Sequence, residues 1–192
     1  MVFKAKRRTV VTTAAAVFVL LVAGIVVSVV TQGSGDASAN QNMIAYPAGH
    51  RPAAPDFTAT SLTGTPINFA SYRGKIVVLN VWGSWCGPCR GEGQTLKYLD
   101  EQYSPQGIAF LGDDLQDTPA NALPFLKSEG ITYPSVNDAN GAVEERLAIV
   151  VPISGTPTTL VIDKTGHVAG MIDGPVTYPE MNTLLQDAKV TQ

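Results

Sequence analysis

Metal-binding side chains are scarce in this chain of 192 residues, which contains only two cysteines and two histidines. A structural zinc ion is usually held by four such ligands. His50 and His167 are far apart in the sequence, the first in a segment of linker composition and the second beside a predicted hairpin turn. A zinc site is therefore disfavoured, and we expect neither a metal nor a cofactor. The lack of a cysteine near the N-terminus also excludes a lipoprotein.

Basic residues become scarce after the first eight positions. The chain has 13 Lys and Arg residues against 16 Asp and Glu residues, and four of the basic ones are Lys4, Lys6, Arg7 and Arg8. Without these four the chain carries a net charge of about −7 and has no basic patch. A nucleic acid is therefore excluded as a partner.

The two cysteines lie in one motif, WCGPC at residues 85–89. An unbroken apolar run, Ile76–Trp82, precedes the motif and is typical of a strand that is buried on both faces. Leu96, Leu99 and Tyr103 follow at helical spacing, and the proline of the motif suits the first turn of a helix. The sequence therefore predicts that the motif joins a buried strand to a helix.

This placement predicts different roles for the two cysteines. At a helix N-terminus the thiolate of Cys86 is stabilised, and the pKa of such a thiol falls from about 8.5 to within roughly 3.5–7.5. Cys89 lies one turn further on, where it can attack a mixed disulfide at Cys86 and release the reduced substrate. A purely structural disulfide is disfavoured because so short a loop constrains the unfolded chain little. The motif predicts thiol–disulfide exchange.

An apolar segment without any charge follows the basic cluster. Val10–Val30 comprises 21 residues and as a helix would span roughly 30 Å, the thickness of the hydrocarbon core of a membrane. Because basic residues stay on the cytoplasmic side, we predict a cytoplasmic segment at residues 1–9, a single transmembrane signal-anchor at 10–30, and an extracytoplasmic remainder. The small residues up to Ala39 also suit cleavage, which would instead release a secreted protein.

The remaining sequence predicts a flexible linker and one α/β domain. Residues 31–53 are rich in Gly, Ser, Ala, Asn and Pro, and residues 54–192 suffice for one hydrophobic core but not for two. Strands are predicted at Phe57–Ser61, Pro66–Asn68, Ile76–Trp82, Ile108–Gly112, Tyr133–Val136, Thr158–Ile162 and His167–Ile172. Helices are predicted after the motif and at Thr118–Glu129, Gly141–Leu147 and Tyr178–Ala188.

Several further motifs accompany the cysteines. They are Pro55-Asp56-Phe57 before the first hairpin, Gly74-Lys75 before the apolar strand, Asn80–Arg90 around the cysteines, and Gly155–Thr158 before the last hairpin. With them, residues 54–188 resemble the TlpA/ResA-like branch of the thioredoxin superfamily, which is related to the AhpC/TSA redoxin domains. The resemblance implies a thioredoxin-like α/β fold, in which helices flank a central mixed sheet, with an N-terminal β-hairpin and a helix–strand insertion.

Proteins of this branch are membrane-tethered thiol–disulfide oxidoreductases that face the oxidising side of the membrane. The resemblance therefore implies that the partners are thiols and disulfides of exported proteins, for example apocytochrome c. It also implies a membrane electron donor, whose identity the sequence does not reveal.

The resemblance assigns a client-binding surface around the dithiol. Thr156 and Pro157 match the family's cis-proline position, where the backbone before the proline pairs with the client like an added strand. Trp85, Gly87 and Pro88 are expected to contact the client beside the attacking cysteine.

The resemblance also gives Glu92 a role. It matches an acidic residue that this branch places one turn after the second cysteine, where it would act as acid or base for Cys89. Asn80 replaces the buried aspartate of ordinary thioredoxins and cannot titrate. After Glu92 the branch usually has an apolar residue and a proline, whereas this chain has Gly93 and Gln94. Gly91 and Gly93 flank Glu92, and we expect them to loosen the helix by roughly 1 kcal/mol each relative to alanine. We expect Glu92 to lie on the surface, where its replacement leaves stability nearly unchanged.

Four functions are compatible with these features. The favoured one is reduction of disulfides in exported proteins. An oxidant that introduces disulfides would use the same motif, since direction depends on thiolate stabilisation. A peroxiredoxin-type peroxidase would need a proline and a hydroxyl where this chain has Leu79 and Gly83. A non-catalytic redox sensor or tethered binding domain would use the groove at Thr156-Pro157 without turnover.

Overall fold

The computed structural model describes residues 42–190, within which no helix has the length and apolarity needed to cross a membrane. The predicted cytoplasmic segment, signal-anchor and cleavage site lie outside the described residues. The strands are β1 (Met43–Ala45), β2 (Thr58–Thr60), β3 (Pro66–Asn68), β4 (Val77–Trp82), β5 (Ala109–Leu115), β6 (Ser135–Asp138), β7 (Thr158–Ile162) and β8 (Val168–Asp173). The helices are α1 (Gly87–Tyr103), α2 (Pro119–Glu129), α3 (Ala142–Ala148) and α4 (Tyr178–Lys189).

Six strands form one mixed sheet in the order β1–β8–β7–β4–β5–β6. β4, β5 and β6 are parallel to one another, whereas β7 is antiparallel to both β4 and β8, and β1 is antiparallel to β8. β2 and β3 form a separate antiparallel hairpin. The predicted thioredoxin-like α/β fold with a mixed sheet and an N-terminal hairpin is confirmed.

The sheet has a hydrophobic core on each face. Every residue of β4 is buried, as its unbroken apolar run predicts. On one face α1 and α4 pack against the sheet through residues such as Leu99 and Leu184. On the other face Leu79 lies in a core with Phe57 from the hairpin segment and Leu147 from α3. The central position of β4 fixes the start of the following helix, α1.

The insertion between β5 and β6 matches the prediction closely. Thr118 is the N-cap of α2, and Gly130 ends the helix in the left-handed conformation at φ 69°. Glycine adopts this conformation without the steric cost that a Cβ brings. The short strand that follows is β6, which pairs in parallel with β5.

The start of the domain differs from the prediction. The sequence predicts a linker over residues 31–53, but Met43–Ala45 forms the edge strand β1. Arg51 is only 7% exposed, and its guanidinium lies 2.9 Å from a carboxylate oxygen of Asp163. It also donates to the carbonyl oxygens of Asp187 and Val190 at the end of α4. The folded domain therefore includes residues 43–53, which β1 and Arg51 join to strands and a helix more than 110 positions later in the sequence.

Candidate active site

The two cysteines lie where β4 ends and α1 begins. Cys86 is the N-cap residue of α1, Cys89 is in its first turn, and the two form a disulfide. The backbone N–H of Cys89 donates to Sγ of Cys86 over 3.1 Å. A helix leaves such N–H groups unpaired at its start. The structure therefore supplies Cys86 with the donor that would stabilise a thiolate.

Both cysteines are buried in the disulfide state, with Cys86 4% and Cys89 2% exposed. The place of Cys86 at the helix start predicts that it is exposed and that Cys89, one turn later, is buried. The structure differs, since the exposed fractions of the two residues are nearly equal. What distinguishes Cys86 is its neighbour, because its Sγ lies 3.6 Å from the carbonyl oxygen of Thr156. The peptide bond between Thr156 and Pro157 is cis, as the resemblance implies. The structure thus brings the predicted client-binding segment against Cys86 rather than Cys89.

Trp85 is held beside the disulfide with 56% of its surface exposed. Its indole Nε1–H donates to the carbonyl oxygen of Leu115 over 3.0 Å. The ring lies over Gly83, where a Cβ would come within 2.5 Å of Nε1. Gly87 and Pro88 are also exposed. Of the predicted client-contact residues, Trp85, Gly87 and Pro88 therefore lie on an exposed surface beside the cysteines, whereas Thr156 is half-buried and Pro157 is buried.

Glu92 is buried, and the prediction of a surface residue is wrong. Its side chain is on the face of α1 that packs on the sheet, and only 1% of the residue is exposed. Oε1 accepts a hydrogen bond from Nδ2 of Asn80 at 2.9 Å, and Oε2 accepts one from the backbone N–H of Val176 at 3.0 Å. Burial raises the pKa of Glu92 to about 7, although the hydrogen bonds from Val176 and Asn80 act against it.

Asn80 connects Glu92 to the sheet. Besides its bond to Glu92, Nδ2 of Asn80 donates to Oγ1 of Thr159 on β7. Behind Cys89 is a cavity of about 10 Å³, whose polar lining includes Asn80 and Tyr133. This is about the space that a single water molecule requires. A buried polar network therefore lies next to the second cysteine, and an asparagine within an apolar strand was the sequence signal for it.

Sequence reasoning missed the aspartates at the end of β5. Asp113 and Asp114 are fully buried, and their carboxylate oxygens have no hydrogen-bond partner within the described part of the chain. Burial, together with the charges of Asp117 and Asp138, raises the pKa of Asp114 to about 8. Burial also raises the pKa of Asp113 well above its ordinary value. Two consecutive aspartates in an otherwise apolar strand were the signal that could have identified them.

The two glycines that flank Glu92 differ in their surroundings. A Cβ on Gly91 would meet nothing within 4 Å, whereas one on Gly93 would lie 2.9 Å from Cγ of Glu129 on α2. Glu129 is fixed there by an ion pair with Arg90, 3.1 Å between Nη1 and Oε1. Gly93 therefore allows α2 to pack closely on α1. The expectation that both glycines only loosen the helix is wrong for Gly93.

No group of three or more His, Cys, Asp or Glu side chains within residues 42–190 is arranged to hold a metal ion. The chemistry that the described residues offer at this site is that of the dithiol, the buried carboxylate of Glu92 and the carbonyl oxygen of the half-buried Thr156.

Residues 51–171 match the AhpC/TSA family. The chain belongs to this family. It is 33% identical over 136 residues to the thiol-disulfide oxidoreductase ResA of Geobacillus thermodenitrificans, which covers 71% of this chain and 76% of that protein. ResA of Bacillus thuringiensis subsp. konkukian is 32% identical over 133 residues, 69% of this chain and 75% of that protein.

A solved structure of a related protein also resembles this chain. A DsbF homologue from Corynebacterium diphtheriae superimposes with a TM-score of 0.70 at 32% identity, covering 79% of this chain and 96% of that chain. With the cysteine pair at the start of α1, these comparisons identify the enzyme class. The chain is a protein disulfide oxidoreductase of the thioredoxin-like CxxC type, as the resemblance implies.

The glycine pair gives a matched test of the packing between α1 and α2. We expect Gly91→Ala to raise the free energy of unfolding by up to about 1 kcal/mol, because the new methyl group meets open space and alanine favours the helix. We expect Gly93→Ala to lower it by about 1–3 kcal/mol, because the methyl group overlaps Glu129. Denaturant titration of the oxidised protein measures both values. Equal stabilisation by the two substitutions would contradict the close approach of Glu129.

The buried carboxylate of Glu92 predicts a pH-dependent stability. Its pKa in the folded state lies above the value of 4.5 for the free group, so the stability it contributes is complete below about pH 4.5. That contribution, of about 3 kcal/mol, is lost as the pH rises through about 7. We therefore expect the parent to lose more stability between pH 5 and pH 8 than Glu92→Gln does, as measured by denaturant titration of the oxidised forms.

The comparison of the two pH profiles isolates Glu92, because Asp113 and Asp114 are present in both proteins. The glutamine retains an oxygen for the bond from Asn80 but lacks a second acceptor for Val176, so its absolute stability at any single pH is not the readout. Parallel profiles for parent and variant would show that Glu92 does not titrate in this range.

Proposed function

We propose that this chain is an extracytoplasmic, membrane-anchored reductant of disulfides in exported proteins. The observation that carries the proposal is the position of Cys86, whose Sγ lies 3.6 Å from the Thr156 carbonyl oxygen beside the exposed Trp85. A client strand that paired with the backbone at Thr156 would bring its own disulfide next to Cys86. The anchor at residues 10–30 is part of the proposal and rests on the sequence alone.

The reaction has two steps. In the reduced enzyme the Cys86 thiolate attacks one sulfur of the client disulfide, and the other client sulfur leaves as a thiolate that takes up a proton. Cys89 then loses its proton and attacks Sγ of Cys86, which forms the enzyme disulfide and releases the second client thiol. Two electrons pass from the enzyme to the client. A membrane electron donor must return two electrons to restore the dithiol.

Glu92 is the proposed proton acceptor for Cys89. Its pKa of about 7, which burial raises, leaves it partly ionised at neutral pH, and it can therefore accept a proton. The cavity behind Cys89 is lined by Asn80, which donates to Glu92. A water molecule in that cavity would provide a route for the proton from Cys89 towards the network of Asn80 and Glu92.

The surroundings of the dithiol support reduction rather than oxidation. A strong oxidant stabilises its thiolate. Here the carboxylate of Asp117 accepts a hydrogen bond from the backbone N–H of Ser84, two residues before Cys86. Arg90, the cation that follows Cys89, is instead paired with Glu129 on α2. The relatives, a thiol-disulfide oxidoreductase ResA and a DsbF homologue, support thiol–disulfide exchange as the reaction. That the clients are exported proteins, for example apocytochrome c, is part of the proposal and rests on the sequence.

The peroxidase alternative lacks support from the site. Gly83 occupies the position of the activating hydroxyl and lies beneath the ring of Trp85. Leu79 occupies the proline position and is fully buried in the core. No side chain at either position can activate a peroxide.

Two cysteine variants test the order of attack. We expect Cys89→Ser to accumulate mixed disulfides with exported proteins, because Cys86 still attacks and nothing resolves the product. We expect Cys86→Ser to accumulate none, because it is Sγ of Cys86 that accepts the helix-start N–H and lies beside the Thr156 carbonyl oxygen. Non-reducing electrophoresis of the full chain, expressed in a cell with an extracytoplasmic space, measures both. If Cys86→Ser accumulated mixed disulfides and Cys89→Ser did not, Cys89 would be the attacking cysteine and the assignment would be reversed.

Insulin reduction by the parent separates an enzyme from a non-catalytic sensor. We expect turnover in the presence of a chemical reductant and none in either cysteine variant. A parent protein that fails to reduce insulin while its disulfide can be reduced would contradict the proposed function.

A further inference from the structure

The loop that carries Cys86 is held by the loop that follows β5. Residues 83–86 connect β4 to α1, and residues 116–118 connect β5, which ends at Leu115, to α2. The backbone N–H of Ser84 donates to Oδ2 of Asp117 at 2.8 Å. One residue later the indole of Trp85 donates to the carbonyl oxygen of Leu115. Asp117 is therefore the side chain that fixes the backbone two residues before the attacking cysteine.

The hydrogen bonds to the carboxylate of Asp117 favour its charged form. Asp117 is 8% exposed, and its Oδ1 accepts hydrogen bonds from the backbone N–H of Thr118 at 2.7 Å and from Nδ2 of Asn121 at 3.4 Å. Burial alone would raise the pKa of Asp117, but the hydrogen bonds from Ser84, Thr118 and Asn121 outweigh it and lower the pKa. In the described part of the chain no lysine or arginine forms an ion pair with it.

The other charged groups near this loop do not cancel that charge. Asp114 and Asp138 are acidic, and burial together with the negative charges of its neighbours raises the pKa of Asp114 to about 8. On α1, burial raises the pKa of Glu92 to about 7. Arg90 is held at α2 by Glu129 and by the ring of Phe125, 4.8 Å from its guanidinium carbon. At neutral pH Asp117 is therefore the fully ionised carboxylate that contacts the dithiol loop.

We propose that Asp117 is a positioning residue that fixes the loop before Cys86 and whose negative charge biases the dithiol towards giving up its electrons. This inference rests on the proposed function. The disulfide is neutral, whereas the reduced enzyme carries a thiolate at Cys86 when it reacts. A nearby carboxylate raises the free energy of the thiolate form only. When the dithiol becomes a disulfide, two electrons pass to the client disulfide, which becomes two thiols, and the repulsion is relieved.

The test is charge removal at nearly constant shape, in the full chain. Asp117→Asn retains an oxygen that can accept from Ser84. We expect the pKa of the Cys86 thiol to fall by about half a unit to one unit, measured by ultraviolet absorbance of the thiolate in the reduced protein. We expect the ratio of reduced to oxidised enzyme in a glutathione buffer to rise about three- to tenfold. A tenfold change corresponds to about 30 mV for this two-electron couple.

Asp100→Asn is the matched control. It removes the same charge from α1, eleven residues after Cys89 and so roughly 16 Å along the helix. That distance exceeds the Debye length of about 8 Å at physiological ionic strength. We expect the control to leave both the thiol pKa and the glutathione equilibrium unchanged.

The outcomes separate this inference from the proposed function. If Asp117→Asn changes only the melting temperature, with the thiol pKa and the glutathione equilibrium of the parent, Asp117 is merely structural and the inference is overturned. If the asparagine variant does not fold, Asp117→Ser and Asp117→Glu replace it, and only the neutral serine should shift the equilibrium. Failure of the parent to reduce insulin would overturn the proposed function whatever the behaviour of Asp117.

Discussion

A buried carboxylate holds the active-site helix to the rest of the fold. Glu92 lies on the buried face of α1. It accepts hydrogen bonds from Asn80 on β4 and from the backbone of Val176, in the loop between β8 and α4. That loop is in turn linked to the cis-proline segment, the predicted client-binding segment, because the N–H of Gly174 donates to the carbonyl oxygen of Pro157. One side chain therefore connects the dithiol helix, the central strand and the cis-proline segment.

The chemistry follows from where charge is placed around this helix. The N-terminal turn of α1 directs the Cys89 N–H at Sγ of Cys86 and favours a thiolate. The proposed opposing charge is that of Asp117, which accepts from the backbone N–H of Ser84, two residues before Cys86. Arg90, the residue after Cys89, forms an ion pair with Glu129. In the proposed mechanism, reactivity at Cys86 depends on the helix start and the reducing direction depends on Asp117.

Local patterns predicted much of this structure. The apolar run before the motif predicted β4. Thr118-Pro119 at the start and Gly130 at the end predicted α2. The misses depend on contacts between distant residues. β1 has three residues and exists because it pairs with β8, while Glu92 is buried because the loop at Val176, 84 positions later, covers it. The close packing at Gly93 likewise depends on Glu129, which sequence periodicity does not connect to it.

The central claim is that the Cys86–Cys89 pair donates electrons, and its midpoint potential tests that claim most directly. The full chain would be equilibrated in glutathione or dithiothreitol buffers of known potential, and the fraction of reduced protein measured by alkylation of free thiols. The account predicts a value near that of thioredoxin, about −270 mV. A value near about −120 mV, that of a strong disulfide-forming oxidant, would contradict it.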